Sequence, residues 1–260
     1  MRQLIVYFTI YSFLGWLSET IYCYIIDKKF TYRGFLYGPV CPIYGFGGVL
    51  VTILLRGMGS NPIKVFFEGM ILASVLEYIT SYILEKLFHM KWWDYSKHKF
   101  NINGRVCLLN SVLFGILSLV IVEVIEPMLR GIVRSIPDKT IYPLSAVITT
   151  IFIVDLIFTV AHLIHLKEHL LKIKNIKNDL RKLGVELEEF TESELEKLRL
   201  EIEKENNNEN RDKIGNLIEK LNLLKKEAKR NRRILNAFPN AKHMEEHKHL
   251  NYLKNLINNK

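Results

Sequence analysis

Long apolar stretches separated by short polar connections fill the first two thirds of the chain, and a different pattern fills the last third. A helix crossing a hydrocarbon core of about 30 Å needs roughly 20 mostly apolar residues. Leu4 to Ile26, Ile63 to Phe88, Val106 to Leu129 and Tyr142 to Leu166 each supply such a run. The first begins directly after Arg2 without a small-residue cleavage site, which predicts a retained signal-anchor helix.

One further segment breaks this pattern. Phe35 to Gly48 carries two prolines and four glycines and leads into a short apolar run, Val49 to Leu55. Irregular backbone at membrane depth survives only where it is buried in protein or lines a wet cavity. The segment therefore predicts a short or broken second span, with a re-entrant segment as the alternative. The expected fold is all-α: a polytopic membrane helix bundle of about five spans over residues 1–166, followed by a cytoplasmic helical tail over 167–260.

In the tail, apolar residues recur at helical spacing. Leu180, Leu183, Leu187 and Phe190 fall at 3-4-3 intervals, as do Ile214, Leu217, Leu221 and Leu224. Thr191 and Glu194 match a capping box, and Asn206-Asn207-Asn208 reads as a turn. Glu186 to Glu205 is mostly acidic and Lys220 to Arg233 mostly basic, so an antiparallel hairpin with a coiled-coil-like seam would set them opposite each other. Pro239 ends it, and a short helix from about Ala241 to Ile257 is expected.

Charge sharpens the orientation. The formal net charge of +9 divides into +4 over residues 1–166 and +5 over 167–260. Beside spanning segments such a basic balance reads as the positive-inside rule and contact with anionic headgroups, not nucleic acid. With the N-terminus outside, the inner face receives Lys28, Lys29, Arg33, Lys86, Lys91, Lys97, Lys99, Arg105 and the tail. The outer face receives Arg2, Arg56, Lys64, Arg130, Arg134 and Lys139. That bias places the N-terminus out and the C-terminus in the cytoplasm. The three cysteines are too few and too apolar in setting for a disulfide framework.

Ionisable residues inside the runs are the candidate chemistry, because a charge near the bilayer centre costs about 2.5–3.5 kcal/mol even on lenient scales. Glu19 shares a helix face with Ser12, Gly15 and Tyr22. Glu77 is flanked by Ser74 and Ser81, and Asp155 by Thr159 and His162. Glu68 falls on the face opposite Glu77 and is expected to serve the helix end. The expectation is a buried polar site of Glu19, Glu77 and Asp155; interhelical packing is the alternative. No nucleophile–base pair accompanies the carboxylates, so no enzyme activity and no cofactor is predicted. His162, His165 and His169 on one face, and the H-x-x-E-H pattern at His243 to His247, are set aside as metal sites.

Two segments carry a resemblance. One is Arg33-Gly34-Phe35-Leu36-Tyr37-Gly38-Pro39 continuing through Cys41-Pro42-Ile43-Tyr44-Gly45. The other is Trp92-Trp93-Asp94-Tyr95-Ser96 followed by Phe100 to Leu108. With Gly15-Trp16 and Glu19 upstream, residues 5–165 resemble the bacterial CmpB-like type IV ABC-transporter membrane proteins. The resemblance implies a multi-spanning protein of the bacterial inner membrane and a link to transport. G-x-x-x-x-G-K-[ST] is absent from the sequence, so ATP hydrolysis would fall to a separate ATPase subunit.

On the expected topology both segments lie on the inner face. Arg33 and Arg105 would clamp an anion or pair with Glu19 and Glu77, with Asp94, Asn101, Asn103 and Asn110 completing the site. The sequence thus supports a permease-like subunit binding a small polar or lipid-like ligand. Two rivals remain at this stage: a headgroup-binding protein or membrane enzyme, and a scaffold recruiting a cytoplasmic protein through the tail. Expected partners are membrane lipids, the ATPase, that cytoplasmic protein and a second copy of the chain, with no nucleic acid.

Overall fold

The computed structural model describes residues 2–28, 30–58, 61–185, 200, 208–228, 232–239, 241–244, 250–251 and 254. It is an all-α helical bundle with almost no sheet. The helices are α1 (Arg2–Asp27), α2 (Pro42–Leu55), α3 (Pro62–Phe88), α4 (Leu108–Ser135), α5 (Asp138–Lys182), α6 (Asn208–Ala228) and α7 (Arg232–Ala237). Among the described residues three of them, α1, α4 and α5, are long and apolar enough to cross a membrane. α2 is a shorter apolar helix of 14 residues, and α3 has the length, at 27 residues, while carrying Lys64, Glu68, Glu77, Glu85 and Lys86.

The chain divides into two compact units. The first comprises Met1–Leu87, Lys91–Val160 and Ala237–Ala241; the second comprises Phe88–Met90, Ala161–Asn236 and Lys242–Lys260.

In the first unit α2 lies along α1, and glycines set the spacing. A Cβ on Gly15 would sit 2.3 Å from Tyr44, one on Gly45 2.1 Å from Ser12, and one on Gly48 2.5 Å from Tyr11. Small residues let two apolar helices approach until their backbones nearly touch. The Tyr11 hydroxyl and Thr52 Oγ1, 2.8 Å apart, share a buried hydrogen bond across the same contact. Val6, Tyr7, Val51, Leu55, Ile121 and Val133 form the adjoining core.

Within α4, residues Ile121–Ile125 take the wider π-helical winding, and the Glu126 N–H reaches back to the Ile121 carbonyl. Pro127 follows at once. It has no N–H, and its ring crowds the carbonyl four residues earlier. A helix relieves such crowding by loosening locally. The extra residue turns Glu126 inward, where it is buried.

Apolar side chains also cover the outside. Phe67, Ile71, Val75 and Ile79 make an exposed stripe down α3, and Ile151, Ile157 and Phe158 stand exposed on α5. So much contiguous apolar surface is foreign to a water-soluble monomer and is what acyl chains cover.

In the second unit the buried side chains include apolar residues of α5 and α6. Leu163, Leu166, Leu170, Ile173 and Leu180 of α5 are buried, as are Ile214, Ile218, Leu221 and Leu224 of α6. Ile218 takes the buried place that the sequence pattern gives to Leu217. α5 does not run on through Leu183. The Gly184 N–H donates to the Arg181 carbonyl (3.1 Å) and the Val185 N–H to Leu180 (3.0 Å), with Gly184 at φ +80°. This paired pattern over a left-handed glycine closes a helix C-terminus.

Leu187, Phe190, the Thr191–Glu194 capping box, the Glu186 to Glu205 acidic stretch, Asn206, Asn207, Glu246 and His247 lie outside the described residues. Where the sequence predicts a short helix from about Ala241, Lys242–His243 is a two-residue strand, and the Met244 N–H donates to the His89 carbonyl (2.9 Å).

Candidate functional site

The connection from α1 to α2 folds back to the middle of α1, where the Cys41 N–H donates to the Ser12 carbonyl (2.9 Å). The second half of α1 therefore has an irregular strap beside it in place of a helix. Gly34 turns the strap at φ +119°, and Pro42 stands in the first turn of α2, where a missing N–H costs nothing. The strap brings Arg33 to Glu19, Nε 3.8 Å from Oε2. The Tyr44 hydroxyl donates to Glu19 Oε1 at 3.0 Å. Arg33 also donates through Nη1 to the Ala237 carbonyl (2.5 Å).

A second carboxylate, Glu77 of α3, is buried. The Tyr95 hydroxyl donates to its Oε1 at 3.2 Å, and its Oε2 has no hydrogen-bond partner among the described residues. Burial first, then the Glu77 charge, push the Tyr95 hydroxyl far above its ordinary range, with Cys107 and Glu19 adding to the effect. Tyr95 thus stays a donor, and the two carboxylates sit in one electrostatic neighbourhood. Phe35 meets Trp92 edge-on, ring centroids 5.6 Å apart, so the two motif segments converge as expected.

Tyr95 is held by a small lobe. Asn101–Ile102 and Val106–Cys107 pair antiparallel across the three-residue loop Asn103-Gly104-Arg105, whose first two residues, Asn103 (φ 53°) and Gly104 (φ 70°), are left-handed. Two successive left-handed residues match the twist of a tight hairpin. The Gly104 carbonyl accepts from the Tyr95 N–H at 2.8 Å, and the Trp93 indole donates to the Arg105 carbonyl at 2.9 Å.

The remaining predicted residues separate into groups. Asp155 accepts from the N–H groups of Tyr37 (2.8 Å) and Gly38 (2.7 Å), so it pins the strap. Arg105 pairs with Glu85 at 2.8 Å, not with Glu77, and lies 5.4 Å from the ring centroids of Tyr78 and Tyr82. Asp94 binds the Ser96 N–H and hydroxyl. Asn101 donates to His98 and accepts from Gly104, and Asn103 donates to the Tyr78 hydroxyl. Asn110 lies half-buried in the first turn of α4. Arg33 and Arg105 are therefore paired with different carboxylates, Glu19 and Glu85.

Sequence reasoning passed over Tyr44, Tyr95 and Glu85. Both tyrosines lie inside the motif segments, where an aromatic ring reads as interfacial packing and gives no sign of its hydroxyl's target. Glu85 could have been found at i+8 from Glu77 on α3. Glu68, as expected, pairs near the helix start, 3.7 Å from Lys64.

No characterised protein and no solved structure matches the chain. The profile of one family does, over residues 6–160, which takes in α1 to α4, the strap, the hairpin lobe and Asp155. The apolar helices and that match make this a transporter-related membrane protein. The chain belongs to the family described as putative ABC-transporter type IV.

Proposed function

We propose that the chain is the membrane-spanning subunit of a transport system and that it holds a small polar or lipid-like ligand at the Glu19–Arg33–Glu77 cluster. α3 crosses with its stripe from Phe67 to Ile79 in lipid and Glu77 turned inward. The strap and α2 together make one further crossing, giving five spans over residues 1–166. The Lys and Arg distribution sets the N-terminus outside and the tail, 167–260, in the bacterial cytoplasm. ATP hydrolysis is supplied by a separate subunit, since the sequence carries no phosphate-binding G-x-x-x-x-G-K-[ST] loop.

The observation that carries this reading is the Glu77 Oε2, buried beside a committed tyrosine donor and without a hydrogen-bond partner among the described residues. A carboxylate oxygen kept dry and unpartnered is costly, and a ligand donor group is what would satisfy it. Glu19, a third exposed, faces the same neighbourhood and remains reachable.

The test is gentle purification of wild type, Glu19→Gln and Glu77→Gln from native membranes, with mass spectrometry of what accompanies each. A stoichiometric P-loop ATPase with all three, and a small molecule or lipid lost from the variants alone, supports the reading. Identical contents in all three preparations would leave the carboxylates a packing role only.

A further inference from the structure

A second charged constellation lies at the opposite end of the first unit, where the N-terminal part of α1, the end of α2 and the end of α4 meet. Glu126 is buried, 1% exposed, with Arg56 Nη1 3.4 Å from one carboxylate oxygen and Arg130 bound to both. In front of it opens a cavity of about 530 Å³ whose lining includes Gln3, Tyr7, Thr52, Arg56, Arg130 and Arg134. No acidic side chain lines it among the described residues.

The charges do not cancel. Three guanidiniums line the cavity, two of them paired with Glu126, which is not itself among the lining residues. Glu126 holds Arg130 by the Nε–Nη2 edge and meets Arg56 only at Nη1, so the other N–H groups of these planar, always-charged side chains face a ligand. Arg134 has no acidic partner among the described residues and is exposed. Tyr7 and the three arginines line this one space. A π-helical stretch immediately before Glu126 aims this edge of α4 into the cavity, and such stretches recur at functional sites.

We infer that the cavity formed by Arg56, Arg130 and Arg134 binds a phosphate-type oxyanion. Two charges remain uncompensated, which suits a phosphate monoester or inorganic phosphate as a dianion, or the phosphate of an anionic lipid headgroup. Forked guanidiniums recognise such oxygens bidentately. Gln3, Thr52 and Tyr7 supply neutral polar groups on the remaining sides. This site is separate from the Glu19–Glu77 cluster and does not depend on that cluster's role.

The experiment uses the full chain, with Arg134→Ala and Arg134→Lys as variants. Arg134 is exposed and holds no other charged group, so its loss leaves the Glu126 cluster and the fold in place. Titration calorimetry with inorganic phosphate at low salt is the first arm. The second is native mass spectrometry after reconstitution in phosphatidylglycerol or in phosphatidylcholine vesicles. Wild type is expected to bind phosphate, or to retain phosphatidylglycerol over phosphatidylcholine. Arg134→Ala should weaken that binding at least about tenfold, and Arg134→Lys should recover part of it. Phosphate binding without lipid selectivity identifies a soluble anion as ligand, and lipid selectivity identifies a headgroup. Binding that Arg134→Ala leaves unchanged, or no binding in either arm, overturns the inference.

Discussion

Asp155 grips Gly38 across 117 residues of sequence: its Oδ2 accepts the Gly38 N–H at 2.7 Å while its Oδ1 accepts that of Tyr37. A carboxylate on a helix thereby closes the turn of an irregular strap whose backbone has no ladder to satisfy it. Thr159, one turn on, donates to Oδ1 at 3.3 Å and steadies the group. Asp155→Ala removes the carboxylate that two N–H groups donate to, a cost of about 1–3 kcal/mol for each donor left dry. Cys41 at the end of the strap is a buried native reporter. With Cys23 and Cys107 replaced by alanine, maleimide should label Cys41 several-fold faster in Asp155→Ala than with Asp155 intact. Asp155→Asn, which keeps one acceptor, should fall between. Equal rates would mean that something other than Asp155 fixes the strap.

Glycines on α2 and α4 should respond in opposite directions. Gly48 faces the Tyr11 ring, and an added Cβ would lie 2.5 Å from it; Gly131 has open space around that position. Overpacking a helix contact costs about 1–3 kcal/mol, whereas replacing a mid-helix glycine by alanine gains about 0.8–1 kcal/mol. Thermal unfolding of the detergent-purified protein should show Gly48→Ala below wild type and Gly131→Ala above it.

Glu126 makes a sharper test of burial. Arg130→Ala would leave the buried carboxylate with the longer Arg56 contact alone, and a buried charge that loses its closest partner is destabilising. The half-exposed arginines regain water when released, so the penalty belongs to the carboxylate. Adding Glu126→Leu to Arg130→Ala should therefore restore most of the lost unfolding midpoint. A double variant no better than Arg130→Ala would show that packing by the arginine stem dominates.

The legible parts of this protein are those where one local pattern decides the outcome. Uninterrupted apolar runs announced α1, α4 and α5, and the glycine–proline segment announced a short second helix behind irregular backbone. Glu19 and Glu77 stood out because charge inside an apolar run is costly wherever it points. The Asn103-Gly104 hairpin and the Gly184 helix stop were also written locally, and only the apolar periodicity around them drew attention away. Glu126 was harder. It falls at the end of an apolar run beside Pro127, where a carboxylate reads as interfacial, and the π-helical stretch that turns it inward shifts the helical phase. The partners of Asp155 were beyond local reading altogether, since backbone N–H groups carry no residue-type signal.

The Arg33 guanidinium joins Glu19 of α1 to the Ala237 carbonyl, which lies 204 residues further along the chain. Ala237 is fully buried, and Phe238 meets Trp92 edge-on at 4.9 Å. A charged donor and an aromatic contact thus tie the Ala237–Ala241 segment to the rest of the first unit. Arg33→Ala removes the donor and leaves the carbonyl in need of another; a hydrogen bond from a charged group is worth about 1.5–3 kcal/mol. Lys242 lies directly after the segment and is exposed, so limited trypsin digestion reports on its release. Cleavage after Lys242 should quicken by about tenfold or more in Arg33→Ala, since 1.4 kcal/mol is a factor of ten in the open population. Glu19→Gln should quicken it less, because the bond to Ala237 survives when only the counter-charge is lost. If the two variants are cleaved alike, Arg33 holds the segment through its pairing with Glu19. If neither differs from wild type, contacts other than Arg33 hold the segment, and the guanidinium is then free to serve a ligand at the cluster.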